Sequence, residues 1–196
     1  MSNKVSVRFN FPVTKASFIY IVTPDTEYDE GGVYQLTLTY TKEEAEKIKA
    51  DIEKRDPRLK GLIEFGERDD GSCTFKVKQK RFLSWVDKAG ERQTAEMKPT
   101  ILNADNTAFA GTQNPWGGTV VEVGALIETQ KGARGKGIIA ALRLRGVRIH
   151  ELVQGGAAEG DDDPLFGGAV KAPKVEQEVF DDLPFDVDVN DDDLPI

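Results

Sequence analysis

The sequence predicts a mainly β protein: a small barrel with added hairpins, one α-helix and a disordered acidic C-terminal tail. Several segments alternate apolar and polar residues with a period of two, which is the pattern of half-buried strands. One segment has the spacing of an amphipathic helix, and the last part of the chain is rich in Asp, Gly and Pro. About eight strands and one helix are typical of a small barrel.

The first predicted elements are three strands. In residues 5–11, Val and Phe alternate with polar residues, and Pro12 is expected to end this strand. Residues 16–22 are mostly apolar and predict a second, more fully buried strand. A third strand is predicted at residues 33–40, with Tyr34 and Leu36 on its apolar face.

One amphipathic helix follows the third strand. The segment Thr41-Lys42-Glu43-Glu44 is a capping box, in which the Thr41 hydroxyl and the Glu44 carboxylate accept hydrogen bonds from free amides at the helix start. Asp56-Pro57 is expected to stop the helix. The apolar residues that share one face are Ala45, Ile48 and Ile52.

The rest of the folded part is predicted to consist of hairpins. The segment Asp69-Asp70-Gly71-Ser72 is expected to be the turn between strands at residues 62–67 and 73–83. A polar loop at residues 86–94, a short strand at 98–103 and a long loop at 104–118 follow. Residues 119–129 and 138–152 predict a second, longer hairpin around the glycine-rich basic segment 131–137.

Charge divides the chain into two parts. Residues 156–196 hold thirteen Asp and Glu against two Lys, a net charge of −11, so that residues 1–155 carry +3 of the −8 of the whole chain. Like charges repel along a chain that is poor in strand and helix formers. We therefore expect a folded domain at residues 1–155 and a disordered acidic tail at residues 156–196.

The tail repeats one short motif. Aspartates stand next to a proline and one or two large apolar residues at 161–166, 181–185 and 191–196. Such a segment is typical of a docking peptide that a partner holds in a hydrophobic pocket rimmed by Lys and Arg; a tail that only adds solubility is the alternative. The predicted docking residues are Asp191, Asp192, Asp193, Leu194, Pro195 and Ile196.

Composition limits the class of protein. The single cysteine, Cys73, excludes an intrachain disulfide, suits a reducing cytoplasm and is expected to be buried in a strand. No apolar run has the length of a membrane span and no signal peptide is evident, so we expect a soluble intracellular protein. His150 is the only histidine and lacks a nearby Ser or Cys partner, so no enzyme, metal site or cofactor is predicted.

A row of basic residues is predicted on the strand at residues 73–83. Lys76, Lys78, Lys80 and Phe82 fall on one side of it, because side chains alternate between the two faces. Lysines spaced about 6.5 Å apart and followed by an aromatic ring match a groove that follows phosphates and stacks on a base. An exposed strand that uses Lys to block edge pairing is the alternative.

A second basic region lies in the C-terminal hairpin. Between Thr129 and His150 there are six basic residues and no acidic one. A bulge at Gly146 is expected to keep Val147 on the core face and to place Arg148 beside the outer arginines. Two basic strands and a glycine-rich basic loop favour nucleic-acid contact over a solvated face. The six residues are Lys131, Arg134, Lys136, Arg143, Arg145 and Arg148.

The aromatic candidates are less decisive. Trp116 stands in a glycine-bordered loop, where its indole can either stack on a base or cap the core. Trp85 is expected to lie in the core, and Tyr28 and Tyr34 are weaker stacking candidates.

The residues resemble those of single-stranded DNA-binding proteins. Bacterial members end in Asp-Asp-Asp-Ile-Pro-Phe, whereas this chain ends in Asp-Asp-Asp-Leu-Pro-Ile and carries Asp181-Asp182-Leu183-Pro184-Phe185 just upstream. The body is similar to bacteriophage members of this class from Trp116-Gly117-Gly118 through Arg143-Leu144-Arg145-Gly146-Val147 to Glu151-Leu152.

The resemblance implies an OB fold, which is a Greek-key barrel, and sequence-independent binding of single-stranded DNA in phage replication, recombination and repair. It also implies a tail that contacts polymerase, primase-helicase or other replication proteins, and a location in the cytoplasm of the bacterial host. Homo-oligomerisation stays open. The alternatives are a scaffold or DNA-mimic protein that acts through its acidic tail, and an RNA chaperone of the same fold.

Overall fold

The structure is a computed structural model, and it describes residues 5–132 and 137–154. Within these residues, one 3-10 turn, Pro57–Leu59, follows the α-helix. The helix is α1, Lys42–Arg55, and the strands are β1 Ser6–Asp25, β2 Val33–Tyr40, β3 Gly66–Glu67, β4 Cys73–Lys80, β5 Phe82–Val86, β6 Arg92–Glu96, β7 Thr100–Asn103, β8 Val120–Lys131 and β9 Ile138–Glu151.

The strands form one large sheet and one hairpin. The seven-stranded sheet has the order β3-β4-β2-β1-β8-β9-β7, in which β7 and β9 are parallel and the other pairs antiparallel; β5 and β6 pair separately. Strand β9 also contacts β4, which brings the two ends of the series β4-β2-β1-β8-β9 together. The predicted mainly β barrel is therefore confirmed. Residues Trp85–Gln93 of the β5–β6 hairpin belong to a different compact unit from the other described residues and are treated by themselves.

Strand β1 is long and pairs with two different strands of the sheet. Its first half pairs with β8, and from Ala16 onward it pairs with β2. The prediction that Pro12 ends a strand was wrong, since one strand runs from Ser6 to Asp25. Pro12 lacks an amide hydrogen and lies where the pairing register with β8 shifts, between Phe11 and Thr14, so no ladder bond is lost to it.

The core lies inside the barrel and is built from alternating residues. Phe75 is fully buried, and its ring packs against Phe11, Phe65 and Tyr40 with centroids 5.4, 5.7 and 6.1 Å away. The Tyr40 hydroxyl donates to the Pro12 carbonyl at 2.6 Å, which ties β2 to the register shift in β1. Cys73 is a buried free thiol, as predicted.

The helix was correctly predicted from its first turn. The Glu44 amide donates to the Thr41 hydroxyl oxygen at 3.3 Å, and the Glu44 carboxylate accepts from the Thr41 amide at 2.9 Å. The predicted apolar face is the buried one and consists of Ala45, Ile48 and Ile52.

The hairpins differ from prediction in three places. The single strand predicted at residues 73–83 divides at Arg81 into β4 and β5, because the Arg81 amide donates to the Gly32 carbonyl and the Arg81 carbonyl accepts from the Met97 amide. Phe82 therefore begins a strand of the other sheet and does not continue the lysine row of β4. The strand predicted at residues 62–67 is reduced to Gly66–Glu67, because the chain turns through Gly61, whose φ is +75°. The polar loop predicted at residues 86–94 is instead the end of a hairpin, with a tight turn in which the Asp87 carboxylate accepts from the amides of Ala89 and Glu91. Asp and Gly in a short turn favour such a hairpin.

Candidate nucleic-acid interface

Strand β4 separates its apolar and basic residues completely. Phe75 and Val77 are fully buried, whereas Lys76, Lys78 and Lys80 are exposed on the opposite face. The predicted lysine row therefore exists as a surface feature.

Strand β2 extends this outer face. Its alternate residues Tyr34, Leu36 and Leu38 are buried. The residues between them lie directly opposite the lysines in the antiparallel ladder, in the pairs Val33 with Lys80, Gln35 with Lys78 and Thr37 with Lys76. A basic strand thus lies beside one whose outward-facing residues carry no charge.

A groove of about 320 Å³ runs over these two strands. Its lining includes Lys76, Lys78 and Lys80 from β4, together with Tyr28, which precedes β2, and Arg143, which β9 brings beside β4. The remaining lining residues are Asp25, Asp29, Val33 and Gln35. The two basic strands predicted from the sequence therefore contribute to one groove, through Arg143.

The cations of the groove differ in how far their charge is compensated. Lys80 lies 3.3 Å from the Asp29 carboxylate, and Arg143 lies 3.6 Å from that of Glu128. Among the residues that the structure describes, Lys76 and Lys78 form no ion pair. These two lysines are therefore the cations most available to an anionic ligand.

The other β9 arginines lie in different environments. The predicted bulge is present, since Gly124 pairs with Gly146 and Ala125 with Leu144, which leaves Arg145 as the extra, exposed residue. Val147 stays in the core, as predicted. Arg148 lies on the outer side but forms an ion pair with Glu122. Its Nε also donates to the Asn106 side chain at 3.0 Å, so its charge is already partnered.

Both predicted stacking aromatics are accessible. The Phe82 ring is 42% exposed, and the Arg81 guanidinium lies over it at 4.8 Å from the centroid. The Trp116 side chain is 53% exposed. Its backbone is held in place, because the Trp116 amide donates to the Val153 carbonyl at 2.9 Å and its carbonyl accepts from the Thr119 hydroxyl at 2.8 Å.

The weaker aromatic candidates separate clearly. Tyr34 is buried, and burial raises the pKa of its hydroxyl, so it belongs to the core. Tyr28 is 89% exposed and lines the groove. The expectation that Trp85 lies in the core was wrong, since it is 36% exposed on the hairpin. Phe18, which sequence reasoning missed, is 67% exposed; its position in an apolar run predicted burial.

Several predicted residues fall outside the described part of the chain. Lys131 is exposed at the end of β8, where the Gly132 amide donates to the Gly137 carbonyl at 2.8 Å and closes the hairpin. Arg134 and Lys136 lie between these two glycines, outside the described residues, and so do the docking residues Asp191–Ile196.

Residues 5–132 and 137–154 contain neither a metal-binding cluster nor a membrane-spanning helix. No group of three or more His, Cys, Asp or Glu side chains there has the arrangement to hold a metal ion. The helix in this part of the chain is too short and too polar to cross a membrane.

Comparison with known proteins identifies the fold. No family model and no curated protein sequence matches the chain. The crystal structure of gp2.5, a single-stranded DNA-binding protein encoded by bacteriophage T7, is similar with a TM-score of 0.57 and 20% identity over 86% of this chain and 100% of that one. The single-stranded DNA-binding protein of bacteriophage Enc34, in complex with single-stranded DNA, is similar with a TM-score of 0.52 and 15% identity over 74% of this chain and 86% of that one. A second structure of the single-stranded DNA-binding protein from bacteriophage Enc34 is similar with a TM-score of 0.52 and 16% identity over 79% of this chain and 87% of that one. The fold of this chain is therefore the one found in these bacteriophage single-stranded DNA-binding proteins.

Proposed function

We propose that this protein binds single-stranded DNA without sequence preference, in phage replication, recombination and repair. The observation that carries the proposal is the groove over β2 and β4, where Lys76, Lys78, Lys80 and Arg143 converge beside Tyr28. Cations spaced along a strand can follow a phosphate backbone, and an exposed ring offers a stacking surface that accepts any base. In OB folds this face and the adjoining loops are the usual oligonucleotide site.

The proposed binding residues comprise the groove and its continuation. Lys76, Lys78, Lys80 and Arg143 neutralise phosphates, while Phe82 and Trp116 stack on bases. The further cations are Lys131, Arg134, Lys136, Arg145 and Arg148. Arg148 must leave Glu122 or share it, so its contribution is the smallest of the arginines.

In this proposal residues 1–155 bind DNA. Residues 156–196 regulate the access of DNA to the binding face and recruit partner proteins. The tail carries −11 against +3 for the rest of the chain, so it is attracted to the same cationic face. Binding of DNA then releases the tip Asp191–Ile196 to replication proteins such as polymerase and primase-helicase. The place of action is the cytoplasm of the bacterial host.

The test is a titration of the full chain with a poly-dT oligonucleotide and with duplex DNA. We expect tighter binding to the single strand. Lys76→Gln, Lys78→Gln and Lys80→Gln in one variant remove three phosphate contacts. They should weaken binding at low salt and reduce the slope of log affinity against log salt by about 2, at about 0.7 per phosphate.

A matched control changes the net charge equally at another place. Lys47, Lys54 and Lys60 are exposed on α1 and just after it, and their change to Gln should leave affinity and salt slope closer to those of the unmodified protein. Equal losses in the two triple variants would indicate attraction by net charge rather than a groove. A matched RNA oligomer of equal affinity would favour the RNA-chaperone alternative, because only the 2′-hydroxyl and the T methyl differ.

A further inference from the structure

Phe18 has an unusual backbone and an exposed ring. Its φ is +50°, in the left-handed region that bulky residues rarely adopt, and its side chain is 67% exposed. The pairing of β1 with β2 changes register between Ser17 and Tyr20, while Ala16 and Ile19 on either side stay buried. This bulge turns the Phe18 ring out of the apolar run in which it lies. A strained backbone that exposes an aromatic ring points to a role other than packing.

The loop that carries Trp116 is fixed along the same part of β1. The Ala16 amide donates to the Thr119 carbonyl at 2.9 Å, and the Gly118 amide donates to the Ala16 carbonyl at 2.8 Å. Further along, the Asn114 side-chain carbonyl accepts from the amides of Ile21, Val22 and Thr23 at 2.8 to 3.0 Å. In its own segment, Trp116 lies between Asn114 and Gly118, which are both bonded to β1. In β1, Phe18 lies between their partners Ala16 and Ile21. The two exposed rings therefore belong to one part of the surface.

This part of the surface continues the face that carries the groove. Ser17 pairs with Thr37 on β2, and Thr37 pairs with Lys76 on β4, so Ser17 lies two strand spacings, about 10 Å, from the lysine row. A cation is also present, because the Arg68 guanidinium lies 3.4 Å from the Ser17 hydroxyl. A single strand that leaves the lysine row across β2 and β1 meets Arg68 and then the two rings.

We propose that Phe18 and Trp116 form a second base-stacking subsite, which extends the DNA path across β1 beyond the groove of β2 and β4. This inference rests on the proposed function. The Trp116 backbone is bonded to Thr119 and Val153, and the Phe18 backbone is held by its bulge, so the backbone that carries each ring has little conformational freedom left to lose on binding.

The test compares ring-bearing with ringless substitutions in the full chain. Phe18→Leu and Trp116→Leu keep an apolar side chain but lose the ring, and each should lower affinity for a long poly-dT strand by roughly tenfold, as expected for one lost stack. Phe18→Tyr and Trp116→Phe keep a ring and should bind nearly as well as the unmodified chain. The salt slope should stay the same in all four variants, because no phosphate contact changes. Val13→Leu, at a position on β1 that is 50% exposed and precedes the segment bonded to the Trp116 loop, is the matched control.

Fluorescence gives a second readout. Trp85 and Trp116 are the two tryptophans, so a Trp85→Phe protein reports on Trp116 alone. Its emission should be quenched on addition of poly-dT, and less so when Phe18→Leu is added. If the unmodified chain ignores single strands, the proposed function fails. If it binds and the lysine triple variant weakens it, while both ringless variants bind as before and Phe18→Leu leaves the quenching of Trp116 unchanged, only the stacking subsite is refuted.

Discussion

The number of basic residues overstates the charge that is available to a ligand. Among the cations of the groove, only Lys76 and Lys78 form no ion pair within the residues that the structure describes. Arg148 forms an ion pair with Glu122, Arg143 lies near Glu128, and Lys80 lies near Asp29. An exposed ion pair such as that of Lys80 contributes little stability, so a phosphate can replace the carboxylate at small cost. The more enclosed Arg148 exchanges partners less readily. The sequence shows how many cations are present, but only the fold decides which of them are free.

Phe18 and Arg148 also mark the limit of sequence reasoning at this scale. Phe18 stands in an apolar run, so its pattern predicts a buried side chain, and only the register shift in β1 exposes it. Arg148 forms its ion pair with Glu122, which is twenty-six positions away in the chain, so no local sequence pattern predicts the pair. By contrast, the alternation in β4 placed the three lysines correctly because it is a strictly local property of a strand.

The Tyr40 hydroxyl should be a measurable part of the folded state. It donates to the Pro12 carbonyl at 2.6 Å, and burial raises its pKa, so the group stays a donor at any physiological pH. Tyr40→Phe removes the hydrogen bond and leaves that carbonyl without its donor. We expect the free energy of unfolding to fall by about 1 kcal/mol in urea denaturation.

Tyr28→Phe is the matched control for this change. Its side chain is 89% exposed, so loss of the hydroxyl should leave the denaturation midpoint unchanged. A Tyr40→Phe protein as stable as the Tyr28→Phe protein would show that water satisfies the Pro12 carbonyl equally well.

Individual elements were predicted well where their signals are local and poorly where pairing decides. The capping box and the apolar face of α1 are short-range patterns, and both were confirmed. A proline usually ends a strand, yet β1 continues through Pro12. The register with β8 shifts at this point, so no ladder hydrogen bond requires an amide from Pro12. The parallel pairing of β7 with β9 could not be predicted either, since its partners are more than forty residues apart in the chain.

The capping box of α1 should make stability depend on pH in a defined direction. The Glu44 carboxylate accepts from the backbone amide and the hydroxyl of Thr41, and these bonds lower its pKa below the ordinary 4.5. A lowered carboxylate pKa in the folded state contributes stability above the unfolded-state value, and the contribution is lost as the pH falls through the folded-state value. The stability difference between the unmodified protein and Glu44→Gln should therefore be present at pH 7 and shrink below about pH 4.5.

Urea denaturation at pH 7 and at pH 3.5 checks this expectation. Glu46→Gln, at an exposed position in the same helix, is the control and should show a smaller pH-dependent difference. A difference for Glu44→Gln that grows as the pH falls would contradict the capping role. Thr41→Ala should cost about 1 kcal/mol at neutral pH, the usual value for an N-cap.

At the scale of the whole molecule, the barrel determines where the basic surface lies, and the charge distribution determines which part of the chain is positive and which is negative. The order β4-β2-β1-β8-β9 places β2 and β4 side by side, so their outer faces form one surface that no single segment of the sequence defines. The division of charge, −11 in residues 156–196 against +3 in residues 1–155, is by contrast fully visible in the sequence. The groove is the place at which, in the proposed function, the acidic segment and a nucleic acid compete.

Removal of residues 156–196 should therefore tighten binding to single-stranded DNA. In the proposed function the tail is a tethered competitor at high effective concentration at low salt, so its loss is expected to free Lys76 and Lys78 for phosphates. The gain should fall as salt is raised, because charges are screened beyond about 10 Å at 0.1 M ionic strength. A titration of both proteins with poly-dT across a salt series measures the effect. A third variant, with the thirteen acidic residues of the tail changed to Asn and Gln, keeps the length and removes the charge. It should bind like the truncated chain if charge is responsible, whereas unchanged or weaker binding after truncation would rule out competition by the tail.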